Sequence, residues 1–406
     1  MIDISDKNEF TVKWIDSINK INHSEWNSIF PDEILKSIKI FFSMEESFND
    51  IIKYHYLCVY EKSDIVALIP CFEYKLNLDV IASKNLQKWI SKTRRYFKNF
   101  FSVKVFVLGS YIATCEQYIG IRDGYSIQKL SFIKDIIKKK STSLKCKITM
   151  IKEVPDSQLK GIQTIFDDFI FVDSLPNSYI PLKGVMPYPS GLTTKAKQRY
   201  NRAKRDFLKN NLKFEIYDDF KQYSKIAYSL YRNVLNKSHT QFEQLNEKFF
   251  ANVSENFQGT SYLLVTRDSE NTIRAIELIF KCYNKLIPIY IGIDYSYHDV
   301  KCLYFNTIAY SAEFAEKNGC DYVVLGQNNY FPKALSGAII QRGYLGFHSS
   351  HKFYSLLINR IFKILFPSFK NEAGVFYNKN AFDKLHCFCC EYNINMLPDQ
   401  RKSKVS

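Results

Sequence analysis

Ser261-Tyr-Leu-Leu-Val-Thr266, Thr272-Ile-Arg-Ala-Ile-Glu-Leu-Ile-Phe-Lys-Cys-Tyr283 and Lys285-Leu-Ile-Pro-Ile-Tyr-Ile-Gly-Ile293 are three runs rich in β-branched and aromatic residues. Asp268–Asn271 and the pair Asn284-Lys285 separate them, so the runs predict a three-stranded meander. The period then changes. Across Cys302–Lys317, Phe305, Ile308, Ala309 and Ala312 share one helical face, and Asn318-Gly319 is a stop signal. Asp321–Leu325 reads as the next strand.

Working outward, Thr193–Asn211 is the most charged helix. Lys195, Lys197, Arg199, Arg202, Lys204, Arg205 and Lys209 stand against a single acid, Asp206. Ala196, Tyr200, Ala203 and Phe207 make its inward stripe, with Thr193 or Thr194 as cap. Lys213–Tyr217 is a short strand, and helices follow at Lys221–Asn236 and around Asn246–Asn256. The order is therefore helix, strand, helix, helix, meander, helix, strand.

Toward the N-terminus, Glu9–Met44 reads as helical through Trp14, Ile15, Ile18 and Ile21. Tyr56–Tyr60 and Ile65–Ile69 form a hairpin around Glu61-Lys62-Ser63-Asp64. Between Ala82 and Lys104 lie seven bases and no acid, interleaved with Trp89, Tyr96, Phe97, Phe100 and Phe101. That pattern suits either a nucleic acid or membrane surface or a helix with its aromatics turned inward. Val103–Gly109 and Cys146–Glu153 are strands, and Tyr125–Lys140 is a basic helix. Asp173–Pro189 carries four prolines and marks a boundary. The reading is a lobe over 1–172, a second over 173–350, and an extension over 351–406.

Composition narrows the class. The 406 residues exceed one ordinary core, and a hydrophobic content of 46% excludes wholesale disorder. Phe (33) and Tyr (28) are abundant while Gly (14) and Pro (11) are scarce, which argues for long elements over a many-turned all-β fold. A net charge of +15 favours an anionic partner. The ten cysteines sit mostly singly in apolar contexts and read as reduced buried thiols, hence a cytoplasmic protein. The cluster His386-Cys387-Phe388-Cys389-Cys390 lacks a second ligand pair at zinc spacing, so no metal is expected. No secretory signal and no uncharged spanning run is seen; the nearest, Phe353–Phe366, is broken by Arg360 and Lys363.

No Gly-x-Ser-x-Gly, P-loop or dinucleotide fingerprint is present, so hydrolase, kinase and dehydrogenase readings lack support. Two acids stand out. Glu277 lies mid-strand, where an unpaired carboxylate is costly, and Asp294 ends the last meander strand. Either could accept the proton an attacking amine must lose. The competing readings are a turn residue for Asp294 and an edge-facing or Arg274-paired residue for Glu277. Gly326-Gln-Asn-Asn-Tyr-Phe-Pro-Lys333 follows a strand and is dense in polar groups, and its Lys333 could hold an anionic group or an oxyanion.

These segments resemble the branch of the GNAT superfamily that includes the FemAB-like peptidoglycan aminoacyltransferases. The resemblance covers Pro187–His351. It is carried by the basic helix Lys195-Ala-Lys-Gln-Arg-Tyr-Asn-Arg-Ala-Lys-Arg205, by Ile291-Gly-Ile-Asp-Tyr295, by Asn318-Gly319, by Asp321-Tyr-Val-Val-Leu-Gly326, and by Tyr330-Phe-Pro-Lys333 with Gly337-Ala338. It implies two tandem GNAT-like α/β lobes with mixed sheets flanked by helices, the first degenerate. It implies acyl transfer to an amine, with Asp294 or Glu277 as base and Lys333 as the third catalytic group. Donor contacts would come from Gln327, Asn328, Tyr330, Tyr304, Arg199 and Arg202. No tightly bound cofactor is implied; the co-substrate would be acyl-CoA, an acyl-carrier protein or an aminoacyl-tRNA, and DNA is not among the expected partners. One departure matters. CoA-dependent members carry a glycine-rich loop before the donor helix, and here Asp294-Tyr-Ser-Tyr-His-Asp-Val-Lys301 contains no glycine. The alternative is a non-catalytic basic protein that binds RNA or a membrane surface.

Overall fold

The computed structural model describes residues 10–77, 92–93, 96, 102–112, 116–238, 242–362, 376–397 and 400. Its strands are β1 (Phe10–Ile15), β2 (Lys53–Glu61), β3 (Asp64–Asn77), β4 (Ser102–Leu108), β5 (Gly120–Ile121), β6 (Ile148–Pro155), β7 (Ile170–Asp173) and β8 (Asn177–Pro181). Then come β9 (Lys213–Tyr217), β10 (Ser261–Arg267), β11 (Ile273–Cys282), β12 (Lys285–Ile293), β13 (Tyr322–Gly326), β14 (Ile339–Gln341) and β15 (Gly343–His348).

By packing, the chain divides into two units. The first runs to Ser174 and takes up residues 238–244 and 344–368. The second holds Leu175–Lys237, Leu245–Gly343 and the chain from 369 on. This differs from the sequence reading after residue 343. The cause is strand pairing: β15 pairs antiparallel with β7, so a segment late in the sequence completes the first sheet.

The first sheet has the order β1-β2-β3-β4-β6-β15-β7, with β5 on β3. The predicted hairpin is β2–β3, turning at Lys62 with a positive φ of 57°. The predicted N-terminal helix is corrected. Residues 10–15 pair with β2 instead, because Thr11, Val12, Trp14 and Ile15 favour an extended chain and the β2 edge offers a ladder. After a 3-10 turn at Ile18–Lys20, the α-helices are His23–Ile29 and Ile38–Phe48. The basic helix of this unit is Ile133–Ser143. The basic-aromatic run from Ala82 lies, up to Phe101, almost wholly outside the described residues.

The second sheet has the order β14-β8-β13-β12-β11-β10-β9. The meander β10–β11–β12 is as predicted, with Tyr283-Asn284 rather than Asn284-Lys285 at its second turn. The helix Val300–Lys317 then crosses over to β13, which lies parallel to β12. Thr194–Lys209 is helical, and the Thr193 hydroxyl accepts from the Ala196 amide at 3.4 Å. Its inner side meets the Val300–Lys317 helix, where Asn306 donates to the Ala203 carbonyl at 2.9 Å and Tyr200 hydrogen-bonds Glu313.

The helix Ser224–Lys237 packs on β12 at Gly292. A methyl there would lie 2.6 Å from the Tyr231 amide nitrogen and 2.7 Å from the Leu230 carbonyl carbon. Backbone cannot rotate aside as a side chain can. Gly292→Ala is expected to cost roughly 1–3 kcal/mol, read as a lowered urea midpoint. A wild-type midpoint would show that the helix shifts freely.

Candidate active site

Both units contain an antiparallel run leading through a helix to a parallel partner, and the two parallel pairs differ. In the first unit β4 and β6 stay in register over four consecutive pairs, Val105↔Ile148 to Leu108↔Ile151. Beyond their ends the buried Lys152 donates to the carbonyls of Ser110, Tyr111 and Ile112 and meets Glu243 at 2.8 Å. In the second unit β12 and β13 pair only at Lys285↔Tyr322 and Leu286↔Val323. Past these residues the strands no longer pair. The carboxyl ends of parallel strands, where neighbours part, are where α/β sheets commonly bind ligands.

Glu277 sits on β11 opposite Ile291 of β12 and Leu264 of β10. It is only 5% exposed. Its neighbour Leu264 belongs to the apolar core formed with Ile308, Ala312 and Ala315 of the Val300–Lys317 helix, so the carboxyl stands under that helix. The Ser311 hydroxyl donates to it at 2.5 Å. Burial pushes the Glu277 carboxyl up to about 8, while the Ser311 hydrogen bond and the Lys333 charge pull it down. It is thus mostly protonated at neutral pH and titrates just above it.

Tyr304, half-buried one helical turn in, borders the same core. Burial raises its hydroxyl well above the ordinary tyrosine value; Asn329 hydrogen-bonds it and opposes the shift, and the Glu277 charge adds to it. Glu277 thus meets Ser311 and feels the charge of Lys333, and Tyr304 meets Asn329 and feels the charge of Glu277; Ser311 and Asn329 are not singled out by the sequence reading. Asn329 lay within the polar run. Ser311 carried only a weak signal, a hydroxyl on the inward side of an otherwise apolar helix.

Lys333 is not on a solvated loop. Tyr330–Leu335 is a short helix, and Lys333 is 5% exposed. Its ammonium donates to the carbonyls of Leu325 at 2.8 Å, Gly326 at 3.2 Å and Gln327 at 2.7 Å. An ammonium has three donors, so these contacts occupy them all. Lys333 holds the tight turn after β13, where Gly326, Asn328 and Asn329 have φ of 70°, 64° and 51°. The oxyanion-contact role expected from sequence is at odds with this geometry.

Asp294 stands elsewhere. Its carboxylate meets Arg274 at 2.6 Å and accepts from the Ser296 amide and hydroxyl. Despite the opposing effect of burial, these bonds hold it below the ordinary aspartate range. Arg274 also binds Asp268 at 2.6 Å, so its partners are Asp268 and Asp294, not Glu277. A carboxylate so stabilised is a weak proton acceptor near neutral pH. The Gln327 amide donates to the Leu175 carbonyl and the Tyr330 hydroxyl to that of Pro176, both at 2.9 Å, so each ties down the chain entering β8. Arg199 and Arg202 are exposed on their helix, Arg202 lying 3.8 Å from Asp206. The glycine-free loop ends at Asp299, whose carboxylate accepts from the Cys302 amide at 3.0 Å and caps the helix. Among the described residues no group of three His, Cys, Asp or Glu side chains could hold a metal ion. Nor is any helix among them long and apolar enough to cross a membrane.

Two units built on the same meander–helix–parallel-strand plan define a tandem GNAT-like α/β fold. No protein-family model and no curated sequence matches the chain. Among solved structures it is similar to FemX, at 10% identity and a TM-score of 0.54, over 86% of this chain and 100% of that one. A tandem GNAT protein from the clavulanic acid biosynthesis pathway matches at 6% identity, TM-score 0.47, over 84% and 99% of the two chains. N-myristoyltransferase from Saccharomyces cerevisiae matches at 11%, TM-score 0.46, over 86% and 81%. The FemX likeness places the fold beside the FemAB-like proteins that the sequence resembles.

Proposed function

We propose that the second unit transfers an acyl or aminoacyl group from an ester or thioester donor to an amine. The observation that carries this reading is Glu277: a buried carboxyl, titrating near 8, that faces Ile291 in the stretch of β12 that no longer pairs with β13. A base poised near the working pH is the most effective proton acceptor. The amine nitrogen attacks the donor carbonyl carbon as Glu277 takes the amine proton. The bond from that carbon to sulfur or oxygen then breaks. Tyr304, protonated at neutral pH, gives its proton to the leaving group and regains one from Glu277. The amine's proton thus ends on the released thiol or alcohol.

Three features favour the second unit over the first. Its parallel pair opens, its carboxyl is poised, and the corresponding end of the first sheet is paired throughout and filled by Lys152. For the donor, the Asp299 carboxylate caps the helix N-terminus where a glycine-rich loop would cradle a pyrophosphate, and its charge opposes an anion there. This favours a donor gripped elsewhere, by the exposed Lys195, Arg199, Arg202 and Arg205, such as an aminoacyl-tRNA or an acidic carrier protein.

The test is purified protein with labelled acyl-CoA, acyl-carrier protein or aminoacyl-tRNA and a panel of amines. An amide product formed by wild type and not by Glu277→Gln is the expected result. Binding without product from every donor would favour a non-catalytic RNA-binding role. A salt titration separates the donors. For an RNA-like donor, log affinity should fall with log salt by about 0.7–0.9 per phosphate contacted, and Arg199→Gln with Arg202→Gln should flatten the slope by about one to two units. Equal and nearly flat slopes for all three donors would mean that this helix grips none of them.

A further inference from the structure

The helix Lys352–Leu357 of the first unit presents a face that the described fold leaves uncovered. It is anchored at its end by Ile358, which is 1% exposed. At the helical angle per residue, Phe353 and Leu356 fall on the side opposite Ile358. They are 63% and 53% exposed. Single exposed apolar residues are ordinary on protein surfaces, but two large ones on adjacent turns of one helix form a patch. Lys352 and Arg360 are exposed on either side of it. From Lys352 to Lys370 the sequence contains no acid, while Lys352, Arg360, Lys363 and Lys370 fall within that span.

We propose that this face docks on an anionic lipid surface, with Phe353 and Leu356 entering the headgroup–acyl boundary and Lys352 and Arg360 contacting lipid phosphates. Aromatic and aliphatic side chains flanked by cations are the combination that binds such interfaces. A second copy of the chain fits less well, because its matching face would bring the same positive charges together. The proposal does not depend on the acyl-transfer reading, since binding is measured without any donor.

The experiment is co-sedimentation of the full chain with vesicles of phosphatidylcholine, with and without phosphatidylglycerol. Wild type should sediment with the anionic vesicles only, and less as salt rises. Phe353→Ser with Leu356→Ser should lower the partition roughly tenfold, and Lys352→Gln or Arg360→Gln about fivefold each. All these positions are exposed, so circular dichroism and thermal midpoint should match wild type. The proposal is overturned if anionic vesicles bind no more than neutral ones, or if the apolar double variant binds as wild type does. It is also overturned if wild type is a dimer that this variant abolishes, since the face would then belong to a second copy.

Discussion

Glu277→Gln is expected to make the protein more stable while removing its activity. The carboxyl is raised from its ordinary 4.5 to about 8 in the fold, chiefly by burial. The folded state therefore holds a proton that the unfolded chain has already lost between those values, and stability falls as pH rises through that window. Above about pH 8 the native state must carry a buried charge. Glutamine copies the neutral acid at every pH and can still accept from Ser311. The gain over wild type should be near zero at about pH 4, about 3 kcal/mol at pH 7, and on the order of 5 kcal/mol above pH 8. Urea midpoints of the two proteins across that range read it directly. In turnover, the wild-type rate should climb with pH toward a limb near 8, and the variant should lack both the limb and most of the rate. Asp294→Asn should keep the limb. Equal midpoints at alkaline pH, or a limb that survives in Glu277→Gln, would remove Glu277 from the role of base.

The second large effect concerns Lys333. Lys333→Ala strands three buried carbonyl acceptors and leaves the turn of Gly326, Asn328 and Asn329 without its tie. At roughly 1 kcal/mol or more for each group left unsatisfied, the loss should reach about 3 kcal/mol. Lys333→Met, which keeps the apolar stem, should lose nearly as much. The Lys333 charge also lowers the Glu277 carboxyl, so its removal should move the rate limb to higher pH. A variant of wild-type stability whose only defect is a lower rate would instead return Lys333 to direct contact with the reacting oxyanion.

Local signals located many of the elements around this site. The change of period after Ile293 placed the meander, the helix and the next strand, because side-chain alternation and helical spacing are set by neighbours a few residues apart. The same locality misled at residues 10–15, where apolar spacing suited a helix and the free edge of β2 decided for a strand. It also offered Lys333 as a contact for an anion or oxyanion, since spacing along the chain does not show that three carbonyls converge on its ammonium.

The sequence by itself determined the α/β class, the order of elements in the second half, and the residues from which a site could be built. Burial and pairing across long separations decided what those residues do. Asp294 is spoken for by Arg274, twenty positions earlier, because β11 and β12 bring them side by side. Glu277 keeps its proton because the Val300–Lys317 helix buries it away from water, against the pull of the hydrogen bond from Ser311, thirty-four positions later. A carboxyl's proton affinity depends on the solvent and charges within a few ångströms. Those neighbours are set by the fold, so residue type and spacing could nominate both acids and only the tertiary structure could tell them apart.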